Sequence, residues 1–338
     1  MRLLLIGFGA VGQGLANILR DQADELRDRE AFVAHIVGVV TRSRGALYHR
    51  DGLSLDNLLD AMAQGHLDHY PDAPGLVRGT PTLDLIRSAE ADVLVEVSYS
   101  NLQTAQPALD YCRAALDSGK HVVMANKGPV ALCYADLMAH AQRVGRRVGF
   151  EATVMAGTPS LQLGMEGLAG CRIRAARGIL NGTTNYILTQ MEAGMAYADA
   201  LAQAQTLGYA EADPTADVDG WDAAGKALIL AAALFDRQLS LESMPVTGIS
   251  GLTSADIEAA QAAGERWKLI AEVTPEGGCV QPVRLPGSHP LAQVAGATNA
   301  ITYTTDLLGE VTLVGPGAGP AATGFGLLAD LLTIHRVG

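Results

Sequence analysis

The first twenty residues constrain the fold more than any other stretch. Residues 2 to 7 read as an apolar strand, Gly7-Phe8-Gly9-Ala10-Val11-Gly12 places glycines at GxGxxG spacing, and Leu15, Ile18 and Leu19 open a helical period. Strand, glycine turn and helix in that order are what a dinucleotide-binding βαβ unit requires. Gly7 permits the tight turn, Gly9 lets a pyrophosphate approach the backbone, and Gly12 lets the helix pack close to the strand. The helix N-terminus then faces the phosphates.

The alternation continues. A second strand, 35 to 40, ends in Thr41-Arg42-Ser43-Arg44, where a fold that prefers NAD would place an acidic residue for the ribose hydroxyls. Two arginines and two hydroxyls suit a 2'-phosphate better, so NADP(H) is the expected cofactor, with NAD(H) as the alternative and Arg42 as the discriminating side chain. Helical patterns near 54 to 70, 83 to 89 and 104 to 118 alternate with strands at 91 to 97 and 121 to 124. The former strand leads into Ser98-Tyr99-Ser100-Asn101 and the latter into Ala125-Asn126-Lys127-Gly128-Pro129, so Ser98, Asn101 and Lys127 stand at strand ends where a doubly wound parallel sheet holds ligands. Residues 147 to 154 read as one more strand, carrying Glu151 in apolar surroundings. Beyond it, strand-like segments at 171 to 180, 279 to 285, 300 to 305 and 310 to 314 alternate irregularly with helices, as in an α+β domain on a mixed sheet. The glycine-rich run 315 to 319 opens a last helix from about 322 to 334.

Composition excludes several classes. The chain has 338 residues and is 49% hydrophobic, but the excess is largely alanine. No apolar run approaches the roughly 20 residues that span a bilayer. The N-terminal run has no cleavage-like site, so a cytoplasmic protein is expected. A net charge of -12 without a clustered basic stripe speaks against nucleic acid. The four cysteines are widely spaced with no CxxC, which suggests neither a disulfide framework nor zinc. His66 and His69 sit at i,i+3 in a polar loop and read as surface.

The most concentrated chemistry lies in GYAEADPTADVDGWDAAGKALILAAA, 208 to 233. Glu211, Asp213, Asp217, Asp219 and Asp222 crowd a turn-rich segment that changes after Gly220 into an alanine-rich helix. Asp222 and Lys226 are one turn apart on that helix, and Ile229, Leu230 and Ala233 continue the side as apolar surface. Taken alone, the pair is either a solvated surface ion pair or a partly desolvated lysine able to polarise a carbonyl and exchange a proton.

Over nearly its whole length the chain resembles the homoserine dehydrogenases. The matching pieces, in order, are GFGAVG at 7 to 12, ANKGP at 125 to 129, FEATVMAGTP at 150 to 159, GILNGTTNYIL at 178 to 188, GYAEADPTADVDGWDAAGK at 208 to 226 and GPGAG at 315 to 319. The tail AATGFGLLADLL is similar to the shorter members, those without a C-terminal regulatory domain. The resemblance implies a Rossmann-type nucleotide-binding domain, 1 to 150 with 318 to 338, and a substrate-binding and dimerisation domain, 151 to 317. It also implies NAD(P)-dependent interconversion of L-aspartate 4-semialdehyde and L-homoserine by a homodimer.

The roles that follow from the resemblance are specific. Lys226 looks like the proton donor to the aldehyde oxygen, Asp222 would orient it, and Lys127 matches a second lysine near the reacting oxygen. Glu211 and Asp217 would hold the substrate ammonium and neighbouring polar atoms, while Asn181, Gly182 and Thr183 would line the pocket. Gly317 would lie near the nicotinamide. Glu151, Val154, Ala156 and Thr158 match a loop that holds a structural monovalent cation, sodium. Two alternatives remain at this stage: a reductase of another small amino-acid aldehyde, and a nonreactive NADP-binding sensor dimer. The latter would have no need of Lys226, Asp222 and Lys127 together.

Overall fold

The computed structural model describes residues 1 to 337 and divides into two compact units, Met1–Gly157 with Gly319–Gly338, and Thr158–Ala318. The first is built on a seven-stranded sheet of β1 (Arg2–Ile6), β2 (His35–Val40), β3 (Ala46–Tyr48), β4 (Val77–Arg78), β5 (Val93–Glu96), β6 (His121–Met124) and β7 (Val148–Gly149). Their order across the sheet is β4-β3-β2-β1-β5-β6-β7. β2, β1, β5, β6 and β7 run parallel, and β3 and β4 add an antiparallel edge. Leu3, Leu4, Leu5, Val93, Leu94 and Val95 are wholly buried, as strands covered on both faces by helices must be. The chain departs from β1 toward β2 on one side and returns to β5 on the other, which makes the carboxyl ends of β1 and β5 a topological switch point.

Helix Ala10–Asp21 follows the glycine turn and packs on the last helix, Pro320–Val337, through small residues. A Cβ built on Gly324 would stand 2.7 Å from the Leu15 amide nitrogen, so the two helices approach backbone to backbone.

The second unit carries a five-stranded sheet of β8 (Ile173–Ile179), β9 (Glu265–Thr274), β10 (Gly277–Pro286), β11 (Thr298–Thr305) and β12 (Glu310–Pro316) in the order β10-β9-β8-β11-β12. The α/β plus α+β division holds, but the mixture of strand directions expected here is found in the first sheet. Every strand pairing of the second is antiparallel, with one isolated parallel bridge from Val246 to Val280.

Three local expectations are corrected. The strand read over 147 to 154 ends at Gly149, because Thr153 bonds back to the Phe150 carbonyl through both its amide and its hydroxyl and closes a 3-10 turn over Glu151–Thr153. That turn belongs to the first unit, where the Glu151 amide donates to the Asp330 carboxylate at 2.9 Å. The helix read from 104 begins at Ala108, since the Asn101 carboxamide oxygen ties down the amides of Gln103 and Thr104 in a turn. The last helix starts earlier than expected, at Pro320.

Candidate active site

At the switch point of the first unit, Gly7 has φ +98, and a Cβ there would lie 2.5 Å from the Val97 carbonyl oxygen; only glycine fits. Gly12 is tight but less so, its Cβ position being 3.0 Å from the Gly7 carbonyl oxygen. Gly9 precedes helix Ala10–Asp21, and nothing lies within 4 Å of a Cβ built on it. Ala10 is exposed and Val11 half-buried, so main-chain N–H groups at a helix N-terminus face open space, which fits the diphosphate of a dinucleotide. Phe8 is the exception within the motif. Its ring is 1% exposed and belongs to the core beneath, leaving only its main chain to meet a ligand.

Arg42 and Arg44 are exposed in a loop closed by the Thr41 hydroxyl, which donates to the Gly45 carbonyl and accepts from the Arg44 amide, both at 2.8 Å. The loop follows β2, whose Val40 carbonyl accepts from the Gly7 amide, so it adjoins the glycine turn. On the other side Asn126 ties two strand ends together: its amide donates to the Tyr99 carbonyl at 3.1 Å and its oxygen caps the helix Lys127–Arg143 at Gly128. Lys127, first in that helix, is half-buried, and its amide bonds the Ser100 hydroxyl.

Beneath Ser98 lies Glu96, which the sequence reading did not single out. It ends β5 with no exposure, accepts from the Ser98 hydroxyl and amide, and has its Oε2 without a partner among the described residues. Burial outweighs the Ser98 bonds and pushes its carboxyl up to about 7. One acid inside Val93-Leu94-Val95-Glu96-Val97 was the available signal.

In the second unit, helix Trp221–Phe235 is buried on nearly every side from Ala223 to Ala232. The Lys226 ammonium, 7% exposed, pairs with the Asp222 carboxylate at 2.8 Å and donates to the Leu180 carbonyl at 2.6 Å. This is a desolvated ion pair, not a surface one. Leu180 follows β8 and leads into Asn181, which caps helix Gly182–Glu192 by accepting from the Thr184 amide. The other end of the Asn181 carboxamide donates to Asp217 at 2.7 Å and to Asp222 at 3.0 Å, so one amide holds two carboxylates together. Burial raises the Asp217 carboxyl above its ordinary range and the Asp222 charge adds to this, against the Asn181 bond and the Lys226 charge. Thr183 donates to the Tyr209 carbonyl at 2.6 Å, fixing the acidic segment to the same helix start.

Thus Lys226, Asp222, Asp217, Asn181, Gly182 and Thr183 converge. Glu211 does not: it is exposed, and no hydrogen bond or ion pair of its carboxylate is present among the described residues. Gly317 follows β12 and packs on the side chain of Asn299, a buried residue that the sequence reading passed over. Of the cation-loop residues, Glu151, Val154 and Ala156 are buried in the first unit, Ala156 with φ +53; Thr158 opens the second and donates to the Pro316 carbonyl at 2.8 Å.

The chain is similar to known proteins across its length. Residues 159–332 match the homoserine dehydrogenase family and residues 7–151 the homoserine dehydrogenase NAD-binding domain. An NAD(+)-dependent homoserine dehydrogenase of Pseudomonas canavaninivorans is 41% identical over 99% of this chain and 96% of its own length. The homoserine dehydrogenase of Methanocaldococcus jannaschii is 40% identical over 99% of both. A hyperthermophilic archaeal homoserine dehydrogenase solved in complex with NADPH superposes with a TM-score of 0.86 at 31% identity, covering 100% of this chain and 98% of its own. With its motifs, both domain matches and relatives of this extent in agreement, the chain belongs to the homoserine dehydrogenase family.

Proposed function

We propose that this chain interconverts L-aspartate 4-semialdehyde and L-homoserine with a nicotinamide cofactor, Lys226 acting as general acid and base. The observation that carries the reading is the buried ammonium of Lys226, oriented by Asp222 and the Leu180 carbonyl. An ammonium has three donors, and these two partners leave one for the substrate oxygen. When bound, the cofactor supplies the hydride. Lys226 offers a preorganised cation to the oxygen as negative charge develops there and hands it a proton; in the oxidative direction it takes the proton back. Asp222 and the Leu180 carbonyl keep the ammonium aimed. Asp217 and Asp222 give the substrate ammonium the anionic partners it needs on leaving water, and Asn181 keeps the two carboxylates from separating. Glu211 and Lys127 join this set as the second acidic contact and the second lysine, on the strength of the family resemblance.

The exposed Arg42 in the loop after β2 supports a preference for NADP(H), with Ser98, Asn101 and Lys127 as further cofactor contacts; Gly317 is added on the strength of the family resemblance. The family resemblance of residues 150 to 159 supports a monovalent cation held by Glu151, Val154, Ala156 and Thr158. The exposed Leu307, Leu308 and Val314 at and beside β12 support a homodimer formed through the second sheet, which sedimentation at graded concentrations tests. The activity itself is tested by NADPH and NADH oxidation with aspartate semialdehyde beside a panel of other small amino-acid aldehydes. Turnover confined to another aldehyde would replace the substrate assignment, and no turnover with any would remove the enzyme reading.

A further inference from the structure

The carboxamide of Asn299 is fully buried, yet neither Nδ2 nor Oδ1 has a hydrogen-bond partner among the described residues. Its main chain is well fixed: Asn299 pairs with Gly315 across β11 and β12, and Asn185 bonds the preceding Thr298 carbonyl at 3.1 Å. The side chain is wedged between two glycines. A Cβ built on Gly317 would collide with Cγ and Nδ2 of Asn299, and one built on Gly182 would lie 3.4 Å from its Oδ1. Gly317 belongs to the GPGAG segment. Gly182 adjoins Asn181 and, through Leu180, the main-chain acceptor of Lys226.

A buried amide without partners is costly, and an apolar side chain would avoid that cost. The arrangement makes sense if the amide is satisfied in another state of the protein. Two features indicate which state. Gly182 opens helix Gly182–Glu192, so its N–H has no intrahelical acceptor, and a Cβ on the same residue would stand 3.4 Å from Oδ1. Asn181, next to it, is held by Asp217 and Asp222, the carboxylates that a substrate ammonium would engage. An ammonium arriving there competes for these carboxylates and shifts the 181–182 backbone, while residues 315 to 319, rich in glycine, can follow.

We propose that Asn299 is a positioning residue for this reaction. With substrate bound, its Oδ1 accepts from the Gly182 amide and its Nδ2 donates to the Gly317 carbonyl, locking the GPGAG segment to the loop beside Lys226. Asn299 touches neither substrate nor cofactor; it transmits the arrival of the ammonium to the glycine segment. The proposal rests on the homoserine reaction argued above.

Two measurements test it. Asn299→Leu keeps the branched heavy-atom shape, at a larger volume, and removes the bonds. It should leave NADP+ affinity unchanged, while kcat/KM for homoserine falls about 10- to 100-fold, the scale of lost positioning. Normal kcat/KM would overturn the proposal, as would a loss matched by falls in both thermal midpoint and NADP+ affinity, which is what a purely structural residue gives. In the unmodified enzyme, hydrogen exchange at Gly317, Ala318 and Gly319 should slow by about tenfold or more when homoserine is added to the NADP+ complex. Unchanged exchange overturns the proposal, and this measurement decides if Asn299→Leu does not fold. An unmodified enzyme inactive toward homoserine would remove the reaction as well, whereas an active one with normal Asn299→Leu turnover removes this proposal alone.

Discussion

The carboxylate of Asp222 and the ammonium of Lys226, one helical turn apart, meet at 2.8 Å with side-chain exposures of only 20% and 8%. An exposed i,i+4 pair stabilises a helix by a few tenths of a kcal/mol and has no chemical consequence. A pair this dry constrains the ammonium direction and leaves a strong donor where water is scarce. Lys226→Met, similar in length and uncharged, should therefore lower kcat by roughly 10²- to 10⁴-fold with cofactor binding retained. Near-normal turnover in a folded, NADPH-binding variant would overturn the assignment.

How much of this was legible depended on sequence separation. Asp222 with Lys226 could be read because helix geometry alone brings i and i+4 together. The bridge from Asn181 to Asp217 spans 36 positions, and no local rule anticipates it. The glycine turn at 7 to 12 was legible at its two ends, because Gly7 and Gly12 stand close against backbone, while a Cβ on Gly9 would meet only open space. Strand β9 was missed. Its sequence, Glu265-Arg-Trp-Lys-Leu-Ile-Ala-Glu-Val-Thr, carries charges that break the alternation, and one of them, Lys268, points inward with no exposure. That lysine bonds the Val294 carbonyl at 3.0 Å and lies 3.7 Å from Glu192, a tertiary arrangement that overrides the rule placing lysine outside. Asn299 escaped for the same reason, its neighbours Gly182 and Gly317 coming from other segments, whereas Glu96, bonded by Ser98 two residues on, stood out only as one acid inside an apolar run.

Asn181 both caps a helix and bridges two carboxylates, and a single substitution exposes the two roles. Asn181→Ala should cost about 1 to 2 kcal/mol of stability through the lost cap. It also removes a bond that lowers the Asp217 pKa, leaving burial and the Asp222 charge to raise it further. If ionised Asp217 holds the substrate ammonium, the acid limb of the pH profile of kcat/KM moves to higher pH in the variant. An unmoved limb would show that Asp217 does not act as a charged contact.

Arg42 offers a clean discrimination because it is exposed and its loop is closed by Thr41, so its removal leaves the turn intact. Arg42→Ala should weaken NADP(H) binding by about 1.5 to 3 kcal/mol, the scale of a charge-assisted bond, and leave NAD(H) nearly unaffected. Equal losses for both cofactors, or none, would place the preference elsewhere.

Glu96 predicts a dependence of stability on pH that runs opposite to that of a salt-bridged acid. In the folded protein burial holds its carboxyl at about 7, against an ordinary value of 4.5 once the chain unfolds. Between these values the folded state keeps a proton that the unfolded state has lost, so stability falls as pH rises; below 4.5 both states are protonated and above 7 both are ionised. A shift of this size corresponds to about 3 kcal/mol, fully lost once the pH passes the folded value. Glu96→Gln is uncharged at every pH and keeps an oxygen for the Ser98 hydroxyl and amide. The variant should match the parent near pH 4.5 and become progressively more stable than it toward pH 8, with no further divergence above that. Thermal midpoints of the two proteins across this range supply the measurement. Parallel curves would mean that Glu96 is ionised throughout, and that the strand end beneath Ser98 carries a charge compensated from elsewhere.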